Sequence, residues 1–168
     1  MNMAAPISNP ALALPLVVGV STRAIFDLSQ EHEVYERDGL EAYIALQRAR
    51  ETTPLAPGPA FEVIRRLLAL NKAGHPPIVD VILLSRNSPD LSLRAFNSCR
   101  HHDLAISRGS FSSGRSVAPL VQAWKIDLFL SNDHDDVRSA LAGGAAPARL
   151  GPTPPPLVSD PINEVRFA

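Results

Sequence analysis

Two short polar turns hold the residues of this chain best suited to chemistry, Ser21-Thr22-Arg23 and Ser85-Arg86-Asn87. Each follows an apolar run: Leu16-Val17-Val18-Gly19-Val20 before the first, Ile78-Val79-Asp80-Val81-Ile82-Leu83-Leu84 before the second. Such runs read as buried strands, and α/β proteins bind ligands at the turns that follow strand ends. Hydroxyls, guanidiniums and an amide suit the binding of an anion such as phosphate. In one large class of phosphate-transfer enzymes the first and third polar positions of such a turn are both aspartates, a nucleophile and a general acid. Here those positions hold Ser21 and Arg23. A serine with no adjoining base is a poor nucleophile, and a guanidinium yields no proton near neutral pH. The turns therefore supply phosphate-binding candidates, Ser21, Arg23, Ser85, Arg86 and Asn87, and no catalytic residue. Backbone amides at a helix opening on Pro89 would add to such an anion site.

Three other groups invite chemistry. Asp27 could act as a displaced nucleophile, but it stands six residues past the strand end. Cys99 lies close to His101 and His102; no third group orients them, and a structural, half-buried helical cysteine is the simpler reading. Asp133, Asp135 and Asp136 could suggest a metal, but their spacing fits a charged helix start better. No metal site is expected in this chain.

The elements that must position these turns alternate. A strand over about Leu16 to Ser21 is followed by helical sequence from Ser29, broken at Gly39 into two short helices. Thr53 to Pro59 is a proline-rich loop. A helix runs from Ala60 to about Lys72, then the strand Ile78 to Leu84, nearly all apolar as a strand covered on both faces should be. Ser88 caps a helix with Pro89 at its first position. A short strand near Leu104 to Ser107, a helix near Val117 to Trp124 and a strand Ile126 to Leu130 come next. A helix from Asp133 to Ala142 ends at Gly143-Gly144, and Ala148 to Leu150 forms an edge strand. Strands and helices in alternation with short links predict an α/β fold with a doubly wound, mainly parallel sheet.

The chain has 168 residues, 45% of them apolar, with a formal net charge of −1. That is one domain's worth of core, and the balance of charge gives no reason to expect a nucleic-acid polymer or an anionic membrane as partner. A single cysteine excludes an internal disulfide and suits a reducing compartment. No run approaches a membrane span. A cytoplasmic protein is expected.

Several ordered motifs then match something specific. Val20-Ser21-Thr22-Arg23-Ala24-Ile25-Phe26, Gly39-Leu40-Glu41-Ala42-Tyr43, Pro57-Gly58-Pro59-Ala60-Phe61 and Leu84-Ser85-Arg86-Asn87-Ser88 resemble the cytosolic type I 5′-nucleotidase family, as do Arg94-Ala95-Phe96-Asn97-Ser98 and Asp127-Leu128-Phe129-Leu130-Ser131. The resemblance implies a haloacid-dehalogenase-like architecture and, for the complete protein, Mg²⁺-dependent hydrolysis of nucleoside 5′-monophosphates. Family chains hold two related halves, and this sequence is similar to the first; the family's Asp-x-Asp motif lies just after the start of the second. Residues 1–14, small, apolar and proline-punctuated, are expected to be a loose leader, and on that likeness 15–150 is expected to be a degenerate α/β half. Residues 151–168 are a proline-rich linker whose closing Glu164-Val165-Arg166-Phe167-Ala168 resembles the strand leading to an absent catalytic half. The implied partners are a nucleoside monophosphate and that second half, with self-association possible. Carried over position by position, the nucleophile slot falls on Ser21, the general-acid slot on Arg23 and the phosphoryl-binding slot on Ser85. The lysine slot falls near Val117, with Arg115 or Lys125 as substitutes, and the late acidic slot on Ser131-Asn132-Asp133. Ser85 suits its slot, the late acidic slot keeps at most one carboxylate, and three or four of the five functions fail, so the chain alone is expected to be inactive, with no Mg²⁺ supported by it.

Overall fold

A computed structural model describes residues 14–151. Five strands, β1 (Leu16–Val20), β2 (Val79–Ser85), β3 (Gly109–Phe111), β4 (Leu128–Ser131) and β5 (Ala146–Arg149), form one sheet in the order β3-β2-β1-β4-β5. Every pairing is parallel. The helices are α1 (Thr22–Ile25), α2 (Ser29–Ala49), α3 (Phe61–Ala69), α4 (Ser92–His101), α5 (Ala118–Trp124) and α6 (His134–Ala142), with a 3-10 turn at Pro89–Leu91 before α4. From β1 the sheet winds outward through β2 to β3, then returns to lay β4 and β5 on β1's other side. This is the expected doubly wound α/β sheet, and the order reverses between β1 and β4.

Side-chain alternation along the central strands feeds two cores. Val81 and Leu83 of β2 join Val18, Val20, Ile25, Phe26, Ile64 and Leu91 on one face. Ile82 and Leu84 join Val121, Ile126, Phe129 and Ala140 on the other. Burial on both faces explains why β2 shows an apolar run rather than an alternation. Gly19 is required for packing, since a Cβ there would lie 2.9 Å from Phe129 Cδ2.

The break at Gly39 is present: α2 is two helical segments joined through Gly39 at φ 83° and ψ −174°. Helix α3 stops short of Lys72 because the Asn71 side chain takes over the chain's polar groups. Its Oδ1 accepts from Ile78 N (2.9 Å) and Val79 N (3.0 Å), and its Nδ2 donates to Val79 O (2.8 Å), steering the backbone into β2. The strand expected at Leu104 to Ser107 lies instead at Gly109–Phe111. Leu104 and Ile106 alternate as a strand would, but they are buried plugs without a ladder. Pairing starts at Gly109, where any Cβ would come within 2.8 Å of Leu83 Cβ. The edge strand β5 begins two residues earlier than expected, straight after the Gly143-Gly144 turn. The leader over 1–13 and the segment 152–168 lie outside the described residues. No helix among the described residues is long and apolar enough to cross a membrane.

Candidate functional site

The carboxyl ends of β1, β2 and β4 bring three serines together. Ser21, Ser85 and Ser131 are each at most 3% exposed, and their hydroxyls knit the strand ends into two chains of hydrogen bonds. In the first, Ala24 N donates to Ser21 Oγ (3.2 Å), Ser21 Oγ lies 3.0 Å from Ser131 Oγ, and Ser131 Oγ donates to Asp136 Oδ2 (3.1 Å). In the second, Asn87 Nδ2 donates to Thr22 Oγ1 (2.8 Å), which lies 2.7 Å from Ser85 Oγ. Ser85 Oγ also accepts from Asn87 N at 3.1 Å. These buried bonds, each contributing about 1 kcal/mol, fix the turns relative to one another.

Above them opens a crevice of about 380 Å³. Its floor contains Ser21, Thr22, Arg23, Ser85, Arg86 and Asn87; Asp133 and Asp136 close one side, and Glu31, Tyr35, Leu40 and Tyr43 of α2 overhang another. All five phosphate-binding candidates from the sequence line this one space. The structure also distinguishes them. The hydroxyls of Ser21 and Ser85 and the Asn87 amide already have partners in these two chains, with Ser131, Ala24 N and Thr22 among them, whereas Arg23 is exposed and has no carboxylate partner among the described residues. The expected amides at Pro89 are already used: Asp90 N donates to Ser88 Oγ and Leu91 N to Ser88 O, in a three-residue turn too short to act as a helix terminus.

Asp136 is the residue the sequence reading missed. Its position fits a charged helix start, and Asp133 does cap α6, its Oδ1 accepting from Asp135 N (2.9 Å) and Asp136 N (3.0 Å). Asp136, three residues into the turn, instead faces Ser131 and Arg86. Arg86 Nη1 lies 3.5 Å from Asp136 Oδ1 and 3.8 Å from Asp133 Oδ1. Even so, Asp136 Oδ1 and Arg86 Nε are buried without a hydrogen bond, as is the Tyr43 hydroxyl. Burial, reinforced by the neighbouring Asp133 charge, raises the Asp136 carboxyl above its ordinary value of 3.8. Folded protein therefore holds this proton to higher pH than unfolded chain does. The contribution to stability is full below 3.8 and erodes as pH rises through the raised value. Wild type should accordingly lose stability relative to Asp136→Asn as pH rises across that interval, read from the difference between their urea midpoints. A difference that stays constant with pH would place the carboxylate in water.

The remaining candidates have partners or burial of their own. Asp27 accepts from Ser29 N (2.9 Å) and Ser29 Oγ (2.6 Å), which holds its carboxyl below the ordinary range. It lines a separate cavity of about 230 Å³ with Arg23, Gly58 and Asn132. Cys99 is fully buried rather than half-buried, and burial pushes its thiol up to about 12. His102 packs edge-on against Phe61 and bonds Leu55 O. Val117 is fully buried, and the crevice lining includes neither Arg115 nor Lys125.

These carboxylates do not fit Mg²⁺. Of the three that line the crevice, Glu31 is paired with Arg94, Asp133 and Asp136 face Arg86, and Asp133 also caps α6; no cluster of three metal-binding side chains occurs among the described residues.

Fold and crevice together define a doubly wound α/β domain with a polar cleft beside its switch point, the position where this class of sheet takes ligands. A sequence model of the 5′-nucleotidase family matches residues 9–168, and the chain belongs to that family. It is 27% identical over 156 residues to human cytosolic 5′-nucleotidase 1B, covering 84% of this chain and 26% of that protein. The chain thus spans about a quarter of the length of this curated relative. No solved structure matches it.

Proposed function

We propose that this chain is the amino-terminal, non-catalytic part of a cytoplasmic 5′-nucleotidase and that its crevice handles a nucleoside 5′-monophosphate. The complete protein would hydrolyse such nucleotides, AMP or IMP among them, to nucleoside and phosphate. Its Asp-x-Asp turn and Mg²⁺ would belong to a second part packed against this one. The observation that carries the reading is the state of the β1 turn. Ser21 Oγ is tied to Ala24 N and Ser131 Oγ with no base beside it, and the position two residues on is a guanidinium. Such a turn binds an anion and has no group to attack phosphorus or protonate a leaving oxygen. A stand-alone nucleotide- or phosphate-binding module is the second reading, favoured by the unpaired Arg23 over an open cavity.

Phosphate release from AMP and IMP with Mg²⁺, followed colorimetrically on the purified chain, should match the protein-free blank. Enzyme-like turnover would overturn the non-catalytic assignment. Calorimetry with AMP and with inorganic phosphate should give measurable binding that Arg23→Ala weakens about tenfold, as loss of a charge-assisted contact predicts. Absence of heat with both ligands would remove nucleotide handling from this crevice.

A further inference from the structure

We propose that the Arg86 guanidinium stands in the place of a divalent cation, so that the crevice engages a phosphomonoester without metal. The ligand class rests on the nucleotide-handling reading above; the exclusion of metal rests on how Arg86, Asp133 and Asp136 are placed. Asp133 and Asp136 project from the start of α6, just past β4, and Arg86 reaches them from the turn just past β2. Its Nη1 lies 3.8 Å and 3.5 Å from their facing oxygens. Two carboxylates converging on one point at a sheet's carboxyl edge are what a hard divalent cation needs as oxygen ligands. Here a tethered cation fills that point. A metal entering would meet the guanidinium's charge, and it would have to share Asp133, whose Oδ1 already accepts from two backbone amides of α6.

The pair is also unfinished in a way that points to a ligand. The Asp136 side chain is 8% exposed, yet its Oδ1 has no hydrogen bond, and Arg86 Nε is a buried donor with no acceptor. Buried groups left unpaired are costly, and a bound molecule that satisfies both recovers that cost. Both residues line the cavity that also holds the unpartnered Arg23. A phosphomonoester supplies what is missing: anionic oxygens for Arg86 Nε and Arg23, and a hydroxyl to donate to Asp136 Oδ1. Metal-dependent phosphate sites bring their positive charge with the ion; this one carries it on two side chains.

Mn²⁺ retention by the full chain, read from the electron paramagnetic resonance signal of free Mn²⁺, tests the replacement. Wild type should retain none beyond the weak binding of exposed carboxylates. Arg86→Ala should bind at least tenfold more tightly, and adding Asp136→Asn should abolish the gain. Stoichiometric Mn²⁺ on wild type that Asp136→Asn releases would overturn the proposal. So would an Arg86→Ala chain, folded by circular dichroism, that retains no more than wild type. Should that variant not fold, wild-type retention still decides, together with AMP calorimetry in Mg²⁺ and in EDTA. Equal affinity within about twofold is expected, and tenfold tighter binding in Mg²⁺ overturns metal-free engagement. No AMP binding in either buffer removes the nucleotide reading, while Mn²⁺ retention continues to decide the place of Arg86.

Discussion

Replacing Arg94 with leucine should cost about 3–5 kcal/mol of stability, the usual penalty for removing one partner of a buried ion pair. Arg94 Nη1 donates to Glu31 Oε1 at 2.7 Å, and the two side chains are 4% and 5% exposed. The same nitrogen donates to Gln47 Oε1 (3.2 Å) and Nε donates to Thr53 O (3.0 Å). Glu31 and Gln47 lie on opposite sides of the Gly39 break, so one guanidinium ties both segments of α2 to α4. Without it Glu31 keeps, among the described residues, only the Arg50 guanidinium at 4.0 Å, and remains a buried charge. Urea unfolding measures the loss. Adding Glu31→Gln to the Arg94→Leu chain should recover part of it, because the orphaned charge rather than the missing attraction dominates the cost. AMP affinity should fall too, since Glu31, Tyr35 and Tyr43 form one wall of the crevice. A loss below about 1 kcal/mol would mean the pair behaves as a solvated surface bridge.

That clamp also marks where sequence reasoning stops. Strands β1 and β2 were legible because buried parallel strands leave continuous apolar runs, and the turns after them were legible because ligands gather at such ends. Placing Ser21, Arg23, Ser85, Arg86 and Asn87 in one crevice followed from the parallel sheet alone. Asp136 was not legible, because an acid in a helix's first turn is already explained by the dipole. Only its spacing of three from the capping Asp133 hinted at a second orientation. Glu31 and Arg94 are 63 residues apart, and nothing local in either segment records their meeting. The overhang of Tyr35, Leu40 and Tyr43 depends on the direction taken at Gly39, which sequence locates but does not aim. Leu104 and Ile106 misled because alternation reports burial on one side, not ladder pairing.

Gly58→Ala should destabilise the fold by about 3 kcal/mol, the upper part of the range for overpacking a well-filled site. A Cβ at Gly58 would sit 2.7 Å from Ala24 O and 2.9 Å from both Phe26 C and Phe26 N. All three are backbone atoms, so no rotamer change relieves the clash. Nor can the loop back away. Gly58 N donates to Ile25 O (2.9 Å), Asp27 N to Ala56 O (2.9 Å) and Ala60 N to Ala24 O (2.7 Å), around an antiparallel bridge between Phe26 and Pro57. These bonds hold α1 from below, and α1 carries Arg23 and leads straight from Ser21. Displacing it by a few tenths of an ångström would stretch the 3.0 Å contact between Ser21 and Ser131 and shift the guanidinium over the crevice. Binding of AMP should therefore weaken along with the urea midpoint. A Gly58→Ala chain with unchanged midpoint would show that the loop slides freely past α1, and the turn would then owe its position to the serine hydroxyls alone.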